Sequence, residues 1–88
     1  MANLKSGTIV SRDEVNLATA LDITLTDGNE YTLQVLDGAC FIREGADNGK
    51  GFFCNQYDRV HFTPEGEDFY IKPIPASVTV NIAEKVAE

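Results

Sequence analysis

The sequence predicts an all-β protein: a single small antiparallel β-sandwich or barrel of about seven short strands with an extended N-terminal arm. Three observations predict it. Apolar residues alternate with polar ones in several runs, the period of a half-buried strand. Turn signals built from Gly, Pro, Asn and Asp recur roughly every 8–12 residues. All eight aromatic residues (Tyr31, Phe41, Phe52, Phe53, Tyr57, Phe62, Phe69 and Tyr70) fall between positions 31 and 70. Aromatic side chains dominate small cores, so the middle of the chain is expected to build this one.

Residues 1–20 hold only modest aliphatics and read as an N-terminal arm or edge segment; residues 21–88 read as the sandwich domain. Within the first segment, Ser11 followed by Glu14 has the form of a capping box, so Arg12 to Ala20 fits a short helix as well as extended chain. Leu21, Ile23 and Leu25 alternate with Asp22, Thr24 and Thr26 and predict a strand. Asp27-Gly28-Asn29-Glu30 then supplies a tight turn into a second strand at Tyr31, Leu33 and Val35, making a hairpin. Asp37-Gly38 reads as the next turn. Ala39 to Arg43 reads as a third strand with Cys40 and Ile42 on one face and Phe41 and Arg43 on the other. A polar, glycine-rich loop follows from Gly45 to Gly51. Phe52 to Cys54 and Arg59 to Phe62 are short strands, and Pro64 to Glu67 is a turn. Phe69 to Lys72 is a strand stopped by Pro73 and Pro75, and Val78, Val80 and Ile82 mark the last strand.

Composition bounds the function. The chain has 88 residues and a mass of 9.6 kDa, enough for one domain with a thin core. Surface scaling gives roughly 14,000 Å² unfolded and about 5,000 Å² folded. Seven Lys and Arg against fourteen Asp and Glu leave a net charge of −7. A nucleic-acid binder needs a basic face to displace counterions, and adhesion to anionic lipid needs one as well, so neither partner is expected. No apolar run reaches the roughly 20 residues of a membrane span. The first residues lack the apolar stretch of a signal peptide.

No enzyme chemistry is expected. Cys40 and Cys54 are too few for a disulfide framework, and two free thiols are the expectation. A bridge stays open, because both lie on strands that could be neighbours; its loop of about 14 positions would stabilise by about 3 kcal/mol in the chain-entropy model. With His61 the two thiols match no zinc spacing, and no metal or cofactor is expected. His61 could pair with Cys40 or Cys54 as a general base, but no nucleophile motif surrounds either cysteine, and a solvent-facing strand histidine is the simpler reading. Asp47-Asn48-Gly49 lacks the ligand spacing of an EF-hand. Asp58, Glu65, Glu67 and Asp68 read as a solvated acidic surface. Gly45 to Gly51 lacks the Lys-Ser/Thr ending of a phosphate-binding loop. Phe52-Phe53 and Phe69-Tyr70 are adjacent aromatic pairs, so one ring of each pair points out of the sheet, where a second subunit could cover it. Tyr57 beside Asn55 and Gln56 is a cluster that a sugar binder could use.

Tyr31 to Gly45, then Phe62 to Tyr70 with its Pro-x-Gly-Glu turn, then Ser77 to Ile82, place an alternating strand, a glycine turn, a second strand, an aromatic strand and a valine-rich strand in order. This succession resembles the small β-sandwich virion proteins of tailed bacteriophages, of the capsid decoration (cement) or head-fibre base type. The resemblance covers about two-thirds of the chain and carries no catalytic residue with it. It implies a non-enzymatic structural protein that decorates and stabilises a capsid. The subunits would form a homotrimer and bind the major capsid protein, in the virion and, during assembly, in the host cytoplasm. The interface residues expected on this reading are Leu4, Ile9 and Val10 in the arm, together with Phe52, Phe53, Phe69 and Tyr70. A tail or baseplate adaptor and a carbohydrate-binding sandwich are the alternatives.

Overall fold

Two long strands carry the architecture. The computed structural model describes residues 2–45 and 51–86. It is all-β, one antiparallel sheet of six strands with a single short helix. The elements are β1 (Ala2–Val10), β2 (Val15–Asn16), α1 (Leu17–Leu21), β3 (Glu30–Glu44), β4 (Phe52–Cys54), β5 (Arg59–Phe62) and β6 (Phe69–Lys85). β3 has 15 residues and β6 has 17, and they pair with each other over nearly their whole lengths as an antiparallel ribbon. The ribbon bends in the middle. On one side of the bend, Tyr31–Gln34 of β3 take β5 as a further neighbour and Ser77–Glu84 of β6 take β1. On the other side, Cys40–Ile42 take β4 and Tyr70–Ile71 take β2. Each half of the ribbon thus becomes a four-stranded layer.

The core lies between the layers. β3 turns Tyr31, Leu33 and Val35 inward, then Cys40 and Ile42; β6 turns Phe69 and Ile71 inward, then Val78, Val80 and Ile82. The inward set changes parity on both strands. A strand's side chains alternate between faces, so an unbroken ladder would have pushed one half of each set into solvent. The change is made by two irregularities. Leu36 is an extra residue between the Val35–Val80 and Asp37–Thr79 pairs, and Pro75–Ser77 are extra on β6 between the Gly38–Val78 and Ala39–Ile74 pairs. Gly38 sits at this corner with φ +88°, and a Cβ there would stand 2.9 Å from the Ser77 carbonyl oxygen. Glycine fits both the left-handed backbone and the close approach. Phe62 of one layer meets Phe69 of the other at 4.4 Å between ring centroids, with Tyr31 stacked on Phe62 at 5.5 Å.

Several sequence expectations are corrected. Asp37-Gly38 is a bend within β3 and does not reverse the chain. Pro73 and Pro75 do not stop a strand. Along β6 the ladder with β2 stops at Ile71, opposite Val15, and the ladder with β1 starts at Ser77, opposite Val10, so the prolines fall where neither strand lies beside β6 and no bond to either is lost. The expected hairpin of 21–25 with 31–35 does not form. Leu17 and Leu21, four residues apart, bury the same face of α1, and Asn16 caps it by accepting from the Thr19 N–H at 3.0 Å. Ile23 and Leu25 still pack on the core, from a segment that pairs with no strand. Ser11, the expected cap, instead holds a local turn with Asp13. Of the two readings of the first segment, arm or edge, Ala2–Val10 takes the edge: β1 is an edge strand whose Ser6 and Thr8 hydroxyls also bond Asn81 and Thr79 across the ladder. β4, β5 and the Pro64–Glu67 turn stand where the sequence placed them, with Gly66 at φ +85°. Residues 46–50 of the glycine-rich loop lie outside the described residues. Total accessible surface is 5268 Å², close to the scaling expectation.

The segment before β3 is tied down by one polar cluster. Tyr31 is buried; its hydroxyl accepts from the Thr26 N–H at 2.7 Å and donates to the Glu84 carboxylate, which also accepts from Asn29. Burial, and then the bond to Glu84, push the Tyr31 hydroxyl's pKa up.

Two substitutions test this construction. Gly38→Ala places a Cβ against the Ser77 carbonyl and in a left-handed backbone, and is expected to destabilise by about 1–3 kcal/mol in urea unfolding. Tyr31→Phe leaves Glu84 and the Thr26 N–H without their shared hydroxyl, an expected loss of about 2 kcal/mol by the same measurement.

Candidate functional site

Phe41 and Phe53 lie on the outward face of the second layer. They are register partners on β3 and β4, their ring centroids 5.1 Å apart, and they remain 46% and 48% exposed. Each points out because its neighbours point in: Cys40 and Ile42 flank Phe41, and Cys54 follows Phe53. On its other side Phe41 pairs with Lys72 of β6, so a row Phe53–Phe41–Lys72 crosses the sheet. The next row holds Arg43 and Tyr70, also register partners, with the guanidinium 4.8 Å from the centre of the tyrosine ring. Arg43 makes a two-pronged ion pair with Glu14, Nε to Oε2 at 2.7 Å and Nη2 to Oε1 at 2.5 Å. The hydrogen bonds from Arg43 hold the Glu14 carboxyl below its ordinary value. The sheet face therefore presents two packed aromatic rings bordered by fixed charge.

Phe52 belongs to the opposite side of β4. It is 68% exposed and stands at the mouth of a cleft of about 330 Å³, with Ile42, Val60, Phe62 and Phe69 among its other lining residues. The cleft opens where β4 and β5, each paired to β3 alone, leave a gap between the layers.

The remaining sequence candidates separate. Val10 and Leu4 are exposed on β1, whereas Ile9 and Phe69 are buried in the chain's own core and offer no surface to a neighbour. Tyr70 faces outward under Arg43. Leu4 and Val10, on β1, belong to the other layer from the Phe41–Phe53 rings. His61 is a surface residue whose Nδ1 lies 2.8 Å from the Thr32 hydroxyl, in the layer that does not contain the cysteines. Among the described residues no cluster of three or more His, Cys, Asp or Glu has the arrangement of a metal site. Tyr57 is exposed, but the amide of Gln56 is taken up by the Leu36 carbonyl, and Asp58 closes the turn through the Asn55 N–H. Of the two carboxamides beside Tyr57, that of Gln56 is thus tied to the β3 backbone. Phe41 is the residue that sequence reasoning missed. Its outward direction was legible, but its contact with Phe53 follows only from the β3–β4 register.

Cys40 and Cys54 are also register partners, on the inner face, and both are buried free thiols. Burial, and then the neighbouring Cys54, push the Cys40 thiol up to about 12. Burial and the nearby Asp58 raise Cys54, against a lowering hydrogen bond with Cys40.

No protein-family model and no curated protein matches the sequence. Among solved structures, the chain is similar to the solution NMR structure of a de novo designed double-stranded β-helix. The match has a TM-score of 0.67 at 11% identity and covers 97% of this chain and 100% of the design. At that identity the likeness concerns the fold: a bent antiparallel ribbon with flanking strands.

The ion pair gives a pH signature. A carboxyl depressed in the folded state contributes stability that is complete above its unfolded value near 4.5 and is lost as pH falls through the lower folded value. Glu14→Gln is expected to lower the urea midpoint slightly at neutral pH, and the difference from the parent is expected to vanish in acid. A pH series of urea titrations at low salt reads it, since exposed pairs are weak and screened.

Proposed function

We propose that this chain is a non-enzymatic structural binding module that associates into trimers and decorates a phage capsid, using the outer face of β3 and β4. The observation that carries the reading is the Phe41–Phe53 pair. Two rings packed on each other and left half exposed on a flat sheet face are costly in water, and aromatic residues are enriched in interface cores. Lys72, Arg43 and Glu14 around them supply the polar border such an interface requires. Val10, 77% exposed near the end of edge strand β1, offers a second contact, and the bare edge of β1 can extend a sheet into a neighbour. The resemblance of the sequence runs 31–45, 62–70 and 77–82 to decoration proteins supplies the capsid as the lattice, although in the fold Gly38 turns no chain and residues 69–82 share one strand. Binding the assembled lattice and not its free subunits would stabilise the shell by mass action. The only histidine is tied to Thr32 on the surface, which suits a protein that binds without turning anything over.

Sedimentation velocity and pelleting test the reading together. The parent is expected to sediment as a trimer and to pellet with expanded capsids of its source phage. The Phe41→Ser/Phe53→Ser variant, with an unchanged circular dichroism spectrum, is expected to sediment as a monomer and to stay in the supernatant. A parent that is monomeric and ignores those capsids overturns the proposal.

A further inference from the structure

We propose that Cys40 and Cys54 form a redox modification site, at which exchange with a small-molecule disulfide such as oxidised glutathione closes an intramolecular bond that staples β4 to β3. The inference stands apart from the capsid reading.

Three observations place the two sulfurs for it. Cys40 and Cys54 are directly opposite in an antiparallel ladder. Opposite residues there have Cα atoms about 4.5–5.5 Å apart, inside the roughly 4.4–6.8 Å that a disulfide spans. Both side chains leave the sheet on the same inner face, at 0% and 2% exposure, so their Cβ vectors are on one side and not splayed. The register is pinned from the opposite face by the adjacent Phe41–Phe53 pair, so a slip that would separate the thiols also breaks an aromatic contact.

The fold also provides the way in. β4 is three residues long and pairs with β3 alone. Edge strands of this kind sit at the low end of local opening free energies. Opening β4 carries Cys54 toward solvent while Cys40 stays on the central strand. Cys54 is then the attacking thiol: its thiolate displaces one glutathione thiolate and leaves a mixed disulfide. While β4 is still open enough to hydrate both sulfurs, the Cys40 thiolate attacks the Cys54 sulfur and expels the second glutathione, each glutathione thiolate taking up one of the protons the cysteines give up, and β4 closes over the finished bond. Two thiols are oxidised to one disulfide, and one oxidised glutathione is reduced to two glutathione molecules. The raised pKa of both buried thiols makes the closed protein slow to react, so the step is gated by β4.

The full chain is incubated with oxidised glutathione at the lowest urea concentration at which iodoacetamide labels Cys54, then quenched in acid and read by intact mass and non-reducing peptide mapping. The expected product is two hydrogens lighter than the starting chain, with a Cys40–Cys54 linked peptide and no glutathione adduct, and dithiothreitol restores the thiols. The oxidised chain is expected to have a higher urea midpoint, corresponding to roughly a hundredfold gain in the folding constant for a loop of about 14 positions. Cys40→Ala is expected to stop at a glutathione adduct on Cys54, and the parent result stands alone should that variant not fold. Lasting adducts on the parent, disulfide-linked dimers, thiols that stay free while Cys54 is being alkylated, or an oxidised chain with a lowered midpoint each overturn the proposal.

Discussion

The change of phase at the corner of the β3–β6 ribbon is the constraint on which the rest depends. A ribbon of two long strands has two faces, and bending it back on itself makes an interior only if both halves offer their apolar set to the same side. Tyr31, Leu33 and Val35 hold odd positions and Cys40 and Ile42 even ones; on β6 the order is Phe69 and Ile71, then Val78, Val80 and Ile82. One surplus residue on β3 and three on β6 make the two changes coincide. The register of every flanking strand follows. β4 meets Cys40–Ile42 in the new phase, which sends Cys54 inward and Phe53 outward, while β5 meets Tyr31–Gln34 in the old one.

This explains what the sequence could and could not reveal. Period-two runs and their apolar faces were legible, because each is a local property: Tyr31 to Val35, Phe52 to Cys54, Arg59 to Phe62 and Val78 to Ile82 all lie in strands. The joining of such runs was not legible. Asp37-Gly38 has the composition of a reversal, and a corner within a strand needs the same positive φ from its glycine. Pro73 and Pro75 read as stops because their harm depends on whether another strand needs their N–H groups, which is a fact about β1 and β2 and not about the prolines. Leu21 fitted an alternating run with Ile23 and Leu25 and equally a helical pair with Leu17; the Asn16 cap and burial of both leucines decided for the helix.

The surface features were half legible for a similar reason. That one of two consecutive aromatics must face outward follows from alternation. Which partner it meets there needs the ladder, and that is why Phe41 escaped notice until it was paired with Phe53. The two sides of β4 then differ sharply over a few ångströms: Phe53 lies in a wet aromatic patch while Cys54, the next residue, is in a dry pocket against Cys40. A strand of three residues with a single partner therefore joins the exposed aromatic face of the sheet to the two buried thiols.

The pairing of β1 with the far end of the chain has a consequence for biosynthesis. Ala2 lies opposite Glu84, and Val10 opposite Ser77, so β1 is translated well before the strand it closes on. At roughly 5–20 residues per second, β1 leaves the ribosome several seconds before its partner exists. During that interval Ile9 has no core to enter, and the backbone of nine residues has no ladder. Lys5 in its middle and the threonine and serine beside it keep this waiting segment polar enough to resist pairing with other nascent chains. The β1 edge of the sheet can therefore be completed only once β6 has been made.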